Sequence, residues 1–401
     1  MRSHRRNHGG FMPELVKQDG IVFRDPSLKR RYQGRKIPMN TFFEAFIAEK
    51  IDVEGDLYQL LRHRENFVNY NVTWEQVKFL VGSFIPSLLF HTKVADHRFV
   101  TEHYDRGNDF FQAFLGESMV YTSAFFDDLS DSLEQAQMRK IRYVGEKLHL
   151  KEGERLLDIG CGWGTLVLEL AAEFGVDATG VTISKNQAEF AQGRIKARKL
   201  EQQARILTID YRDIPAQRFD KISVLEMAEH VGIRNFQKFL RQVHGLLDDD
   251  GVFFLQIVGK RQETDMHDFT WLAFMSKYIF PGADASLPLA YVTSQLEKAG
   301  FEVHSVENIN VHYGHTIHRW YQNWVKNRDQ VVKTYGEWWY RLWYMFLAWS
   351  SEVGEMGRCG CYQIVCNKAR LGFDRDQYIG EPVALGEHAA EPAQVPARKS
   401  A

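Results

Sequence analysis

Leu156-Leu157-Asp158-Ile159-Gly160-Cys161-Gly162-Trp163-Gly164-Thr165 runs from an apolar strand pattern straight into a glycine-rich turn and on into a helical pattern. Glycines there let the backbone approach a ligand closely, and the start of the following helix offers free N–H groups. The spacing is not that of the six-residue dinucleotide fingerprint, and no lysine follows where a phosphate-cradling loop needs one. Asp158 ends the strand with no basic side chain beside it in the motif, which suits a carboxylate facing a cationic amino-acid group.

Outward from this run, strand candidates lie at 155–159, 177–182, 205–209, 220–225 and 252–258, separated by helical stretches. Such alternation predicts an α/β fold with a parallel sheet and crossover helices. Two more candidates, 301–308 and 361–368, flank an aromatic-rich helical insertion. Residues 41–150 read as a mostly helical cap, with Thr41 as the N-cap before Phe42 and a long helical period from Asp131 to Leu148. The predicted organisation is a basic arm at 1–40, the cap at 41–150, the α/β domain at 151–370 and a disordered tail at 380–401.

Composition narrows the function. Fifty basic and 52 acidic side chains leave a net charge of −2 over 401 residues, which argues against nucleic acid as a partner. Four cysteines are too few for a disulfide scaffold, so a reducing, cytoplasmic setting is expected. Aromatics at 13% with nine tryptophans hint at an apolar ligand or a membrane surface. The longest apolar stretch, within Phe79–Phe90, contains Pro86 and falls short of the ~20 residues of a spanning helix. No signal peptide is seen. Residues 1–40 carry ten Lys/Arg against Glu14, Asp19 and Asp25, a local +7. Anionic headgroups attract such segments by ~1 kcal/mol per basic residue, so peripheral membrane contact is expected.

The glycine run resembles the first motif of Rossmann-like methyltransferases that use S-adenosylmethionine. Four further stretches, His103–Phe111, Met119–Ser123, Gly180–Gln187 and Glu229–Gly232, resemble the cyclopropane-fatty-acid synthase family. Leu225–Gly232, Tyr278–Ser286 and Val311-His312-Tyr313 are most similar to its sphingolipid C9-methyltransferase branch. The likeness covers about residues 100–368. It implies a seven-stranded, mostly parallel sheet and S-adenosylmethionine as cofactor. By motif, Tyr121 and Thr122 touch the cofactor from the cap, and Asp158, Gly160, Cys161, Gly162, Trp163 and Gly164 line its methionine side. Thr182, Ser184 and Gln187 surround the ribose, replacing the acid usual after the second strand, and Asp210 and Tyr211 sit by the adenine. Glu229 and Tyr313 reach the reacting carbon.

A sulfonium methyl is electrophilic and an alkene attacks it without prior deprotonation, leaving a carbocation. Aromatic faces stabilise such a cation by ~0.5–2 kcal/mol each. A base must then take a proton. From the new methyl this closes a cyclopropane; from the methylated carbon it restores the double bond and leaves a branch. Cyclopropane synthases hold a bicarbonate base with a Cys and a His alongside the Glu and Tyr. Here the matching positions are Ser123 and Gln256, so bicarbonate is expected to be held differently or replaced, and the outcome to shift toward branching. A family cysteine near the C-terminus aligns with Ser350, so no cysteine nucleophile is assigned.

The expected substrate is an unsaturated lipid: a sphingolipid, a phospholipid acyl chain or a glycolipid. A second copy of the chain is one expectation for assembly. The alternatives are a small-molecule N-methyltransferase of the same fold and a non-catalytic lipid- or cofactor-binding member. His312, His315 and His318 recur every third residue without a carboxylate or cysteine to complete a set, so no metal is expected. Cys359, Cys361 and Cys366 read as strand packing residues. Trp338–Leu347 reads as an interfacial helix, an acyl-tunnel wall or core.

Overall fold

The computed structural model describes residues 17–84, 106–261, 263, 265–281 and 287–378. The start of the basic segment, His103-Tyr104-Asp105, residues 85–90 of the apolar run, residues 282–286 and the tail at 380–401 lie outside the described residues.

One sheet contains β1 (Arg155–Ile159), β2 (Asp177–Thr182), β3 (Ala204–Thr208), β4 (Phe219–Leu225), β5 (Leu247–Lys260), β6 (Phe301–Asn308) and β7 (Cys359–Lys368). Their order is β6-β7-β5-β4-β1-β2-β3, and β7 alone runs antiparallel to its neighbours. In β1, Leu156, Leu157 and Ile159 are no more than 1% exposed, because helices cover both faces of a parallel sheet. β1 lies between β2 and β4, so the strand order reverses there and a crevice opens beyond the carboxyl ends. The antiparallel register sets Cys361 opposite Val258 and Gln363 opposite Gln256. The C-terminal strand thereby brings its own side chains toward that crevice.

Upstream lie α1 (Met39–Ile47), α2 (Leu57–Arg62), α3 (Asn108–Leu115) and α4 (Leu133–Lys147). α4 opens with a capping box between Ser132 and Gln135, and its buried stripe includes Ala136, Lys140, Ile141 and Val144. α1 starts at Met39 with no side-chain cap, three residues ahead of the expected start at Phe42, so Thr41 lies inside the helix and does not cap it. Seven of the nine residues of α1 are buried, and tertiary packing rather than capping sets its start.

The basic arm expected at 1–40 differs over its described part. Ile21–Phe23 pairs antiparallel with Ile51–Val53, Asp25 caps a helix at Pro26–Tyr32, and Ile37–Pro38 pairs with Val68–Asn69. Apolar residues spaced among the charges, with Ile37 and Met39 fully buried, fold this stretch onto the cap.

After β1 and β2 come α5 (Thr165–Phe174) and α6 (Lys185–Ala197); the aromatic insertion between β6 and β7 contains α7 (Asn310–Lys326) and α8 (Glu337–Glu355). Trp320, Trp324, Trp343 and Trp349 are among the largest fully buried side chains. Trp349 and Phe274 both contact Phe43 of α1, with ring centroids 6.0 and 4.9 Å away. Arg341 Nε donates to the Phe46 carbonyl at 2.6 Å, with its guanidinium over the Phe46 ring. Within Trp338–Leu347 only Trp338 is exposed, at 43%, so this stripe is core between insertion and cap rather than an interfacial helix. Among the described residues no helix is long and apolar enough to cross a membrane.

Candidate active site

A cavity of about 170 Å³ opens at the carboxyl ends of β1 to β4. Asp158, Gly160, Cys161, Gly162 and Trp163 line it from β1 and the following turn, Thr182 and Gln187 from β2 and α6, Asp210 and Tyr211 after β3, and Tyr121 and Thr122 from the cap. Gly162 has φ +53 and open space where a Cβ would stand, so its backbone faces the cavity bare. Gly164 and Ser184 are not in the wall. A Cβ at Gly164 would stand 2.6 Å from the Cβ of Ala191, so this glycine lets α5 and α6 approach. Ser184 caps α6, its Oγ accepting from the Gln187 N–H at 3.3 Å, and Thr182 Oγ1 donates to Gln187 Oε1 at 2.8 Å. The Thr-x-Ser-x-x-Gln pattern thus combines a cap with two cavity residues.

The cap is tied to the glycine turn through Trp163, whose Nε1 donates to Asn108 Oδ1 at 2.7 Å. Tyr121 sits among Phe111, Phe114, Phe280 and Trp320, with ring centroids 5.4 to 6.1 Å away. Asp158 accepts from Ser223 Oγ at 2.8 Å. Burial raises its pKa to about 6, against the pull of Ser223 and Lys140. Asp210 accepts from Arg212 through both carboxylate oxygens.

Among the wall residues to which the sequence reading gave no role are Lys140 and Glu226. Lys140 of α4 donates to Thr122 Oγ1 at 2.9 Å; burial lowers its pKa to about 8, with Glu226 and Asp158 opposing. Its signal was a lysine on the apolar stripe of an amphipathic helix. Glu226 follows the last residue of β4, as Asp158 sits near the end of β1, and an acid at a strand end was its signal.

The four residues expected to be catalytic do not themselves line the cavity; they gather behind Glu226. Ser123 N–H and Gln256 Nε2 donate to Glu226 Oε1 at 3.0 and 2.6 Å, and the Tyr313 hydroxyl faces the same carboxylate. Burial and the Glu226 charge push the Tyr313 hydroxyl well above its ordinary pKa, so it stays a donor. Glu229 Oε1 accepts the Val258 N–H at 2.6 Å, while Oε2 has no partner among the described residues. Burial, reinforced by Glu226, raises the Glu229 pKa from 4.5 to about 8.

A group bound to its proton more tightly in the folded state stabilises the fold below its unfolded pKa and loses that contribution as pH rises through the folded value. For Glu229 the loss spans 4.5 to about 8. Glu229→Gln, which stays neutral, is expected to gain at least about 1 kcal/mol on the wild type between about pH 5 and pH 8 in urea unfolding. Parallel curves for the two proteins would show that Glu229 is ionised throughout.

The histidines do not converge. His312 Nδ1 accepts the Phe126 N–H at 3.2 Å, His315 lies edge-on to Phe126, and His318 stacks on Tyr321. Among the described residues Asp265, His267 and Asp268 have metal-like spacing, but Arg358 bridges both carboxylates and Arg64 meets His267.

The donor set fits S-adenosylmethionine. Asp158 suits its ammonium, the bare turn before α5 its carboxylate, Thr182 and Gln187 its ribose hydroxyls, Asp210 and Tyr211 its adenine, and the Tyr121 cluster its sulfonium. Fold and cavity together define a Rossmann-like S-adenosylmethionine-dependent methyltransferase. Residues 91–364 match the family model for mycolic acid cyclopropane synthetase, and the chain belongs to that family. It is 45% identical over 395 residues to the sphingolipid C9-methyltransferase of Komagataella phaffii, covering 96% of this chain and 81% of that protein. It is 31% identical over 327 residues to a probable fatty acid methyltransferase of Pseudomonas putida, covering 81% of each. The crystal structure of mycolic acid cyclopropane synthase CmaA1 complexed with SAH and CTAB is similar at a TM-score of 0.65 and 28% identity, covering 68% of this chain and 98% of that one.

Proposed function

We propose that this methyltransferase adds a methyl group to a carbon–carbon double bond of a sphingolipid chain and releases a methyl-branched alkene. The observation that carries this reading is the aromatic wall at Tyr121, backed by Phe111, Phe114 and Trp320, beside a cavity with Glu226 in its wall and the buried Glu229 behind it. Aromatic faces exclude water and stabilise a cation. When bound, S-adenosylmethionine supplies the electrophilic methyl. Thr122 and Lys140 hold the cap side of the cavity, and Trp163 fixes the cap over the glycine turn. The identity with the Komagataella phaffii enzyme supports a sphingolipid, and that with the Pseudomonas putida protein leaves a fatty acyl chain as the other lipid to test. Lys17, Arg24, Lys29, Arg30, Arg31, Arg35 and Lys36 are all exposed, which supports peripheral contact with an anionic surface.

The test is incubation of the protein with labelled S-adenosylmethionine and vesicles carrying unsaturated sphingolipid, or unsaturated phospholipid in a parallel arm. The expected product is a branched alkene that retains its double bond by NMR. A cyclopropane as the main product would overturn the branching, and label confined to amines would overturn the lipid reading.

A further inference from the structure

The residues gathered behind Glu226 form a network with a fixed direction. Lys147 Nζ can only donate, and it donates a hydrogen bond to Gln363 Oε1 at 2.9 Å. Gln363 therefore turns its NH₂ to Gln256 Oε1, also at 2.9 Å, and Gln256 turns its own NH₂ to Glu226 Oε1 at 2.6 Å. The antiparallel register of β7 on β5, with Gln363 opposite Gln256, makes this relay. A chain that starts on a cation and ends on an amide NH₂ requires an acceptor at its end. Ser123 N–H, the Tyr313 hydroxyl and, at 3.8 Å, the Cys361 thiol address the same carboxylate.

The backbone points the same way. Glu226 has φ +54, the left-handed region in which glycine is the default. Strain of this kind persists where the surrounding structure over-determines it, commonly at a functional side chain. Here the Glu226 N–H is held by the Gln256 carbonyl at 2.8 Å. Of the acid pair, Glu226 has the donors and lines the cavity, whereas Glu229 has one backbone donor and an Oε2 with no partner among the described residues. Burial raises the pKa of both acids, but Ser123, Gln256 and Lys140 oppose the rise at Glu226, so the pair keeps its negative charge on Glu226 and its proton on Glu229.

We propose that Glu226 is the base that takes the proton from the methylated lipid cation, its carboxylate standing where a bound bicarbonate would otherwise be held. This rests on the C-methylation reading above. The alkene π pair forms the new C–CH₃ bond, the C–S bonding pair returns to sulfur, and the neighbouring chain carbon becomes cationic. A Glu226 oxygen then takes the hydrogen of the methylated carbon as a proton, and the C–H pair becomes the restored double bond. The resulting carboxylic acid returns its proton to water after the product leaves.

The experiment compares wild type, E226Q and E226G in carbonate-free buffer. It measures methyl transfer to unsaturated lipid, S-adenosylhomocysteine binding by calorimetry and ¹³C-bicarbonate binding by NMR. Glycine suits the backbone at this position, so E226G relaxes the fold there rather than straining it. The wild type is expected to run at full rate without bicarbonate and to leave its NMR line unbroadened. E226Q is expected to bind S-adenosylhomocysteine normally but to lose about 100-fold or more in rate. E226G is expected to bind bicarbonate in the vacated place and to recover methyl transfer when it is added. A wild type that needs bicarbonate, an E226Q that keeps most of its rate, or an E226G that neither binds nor is rescued by bicarbonate would overturn the proposal. A wild type inactive on every lipid would instead overturn the functional reading, while the bicarbonate-binding comparison would still decide whether Glu226 fills that place.

Discussion

Asp158→Asn is expected to bind S-adenosylmethionine about a hundredfold more weakly than the wild type, with a much smaller change in the rate at saturation. Asparagine keeps the volume and still accepts from Ser223 Oγ, so it removes the charge and little else. The carboxylate is buried at the floor of the cavity, where removing one member of a desolvated charge pair costs about 2–5 kcal/mol. S-adenosylhomocysteine, which keeps the ammonium but lacks the sulfonium, should weaken by a similar factor if Asp158 addresses the ammonium. Calorimetry with both compounds checks this. Unchanged affinity for both would reduce Asp158 to a structural partner of Ser223 and Lys140.

Arg64→Met is expected to destabilise the fold by about 3–5 kcal/mol, because it strands a buried carboxylate. Arg64 is 2% exposed and Glu352 4% exposed, and their Nη1 and Oε1 atoms are 2.6 Å apart. The remaining donors of the guanidinium are used as well: Nε donates to the Tyr70 hydroxyl at 2.7 Å and Nη1 to the Leu61 carbonyl at 2.8 Å. Nη2 meets His267 Nε2 at 2.5 Å. Burial and the charges of Arg64 and Arg358 hold His267 down to about 3, so it is neutral and accepts. This one side chain therefore joins the cap to α8 and to the segment before Phe274. The double variant Arg64→Met with Glu352→Met should recover most of the loss, since an apolar pair of similar volume leaves no charge buried alone. Urea unfolding of the wild type, the single variant and the double variant decides it. A single variant within about 0.5 kcal/mol of the wild type would show that water reaches Glu352.

The doubly wound sheet was legible because strand periodicity is local. All seven strand candidates coincide with observed strands to within a few residues, except that β5 begins five residues earlier, at Leu247. The glycine turn was legible for the same reason. The described part of the basic segment was read only as a basic arm because its apolar residues are scattered among charges, and only their partners on the cap reveal them as core. Thr41 looked like a cap because capping is also a local signal, and packing of α1 against α8 overrode it. The Trp338–Leu347 stripe was ambiguous, since a membrane, a lipid and a protein core all select aromatics; its burial against α1 resolved it.

Local patterns were enough to read the strand alternation, the glycine turn, part of the cavity wall and the departures at Ser123 and Gln256. It took the folded chain to show that those two residues, with Tyr313, address Glu226, which lies within the Leu225–Gly232 stretch but had been given no role there. The physical reason is range. Periodicity and turn chemistry act over a few residues, whereas the charge on Glu226 is held by donors from the cap, from β5 and from the insertion. Their meeting depends on how an antiparallel last strand is registered against the fifth.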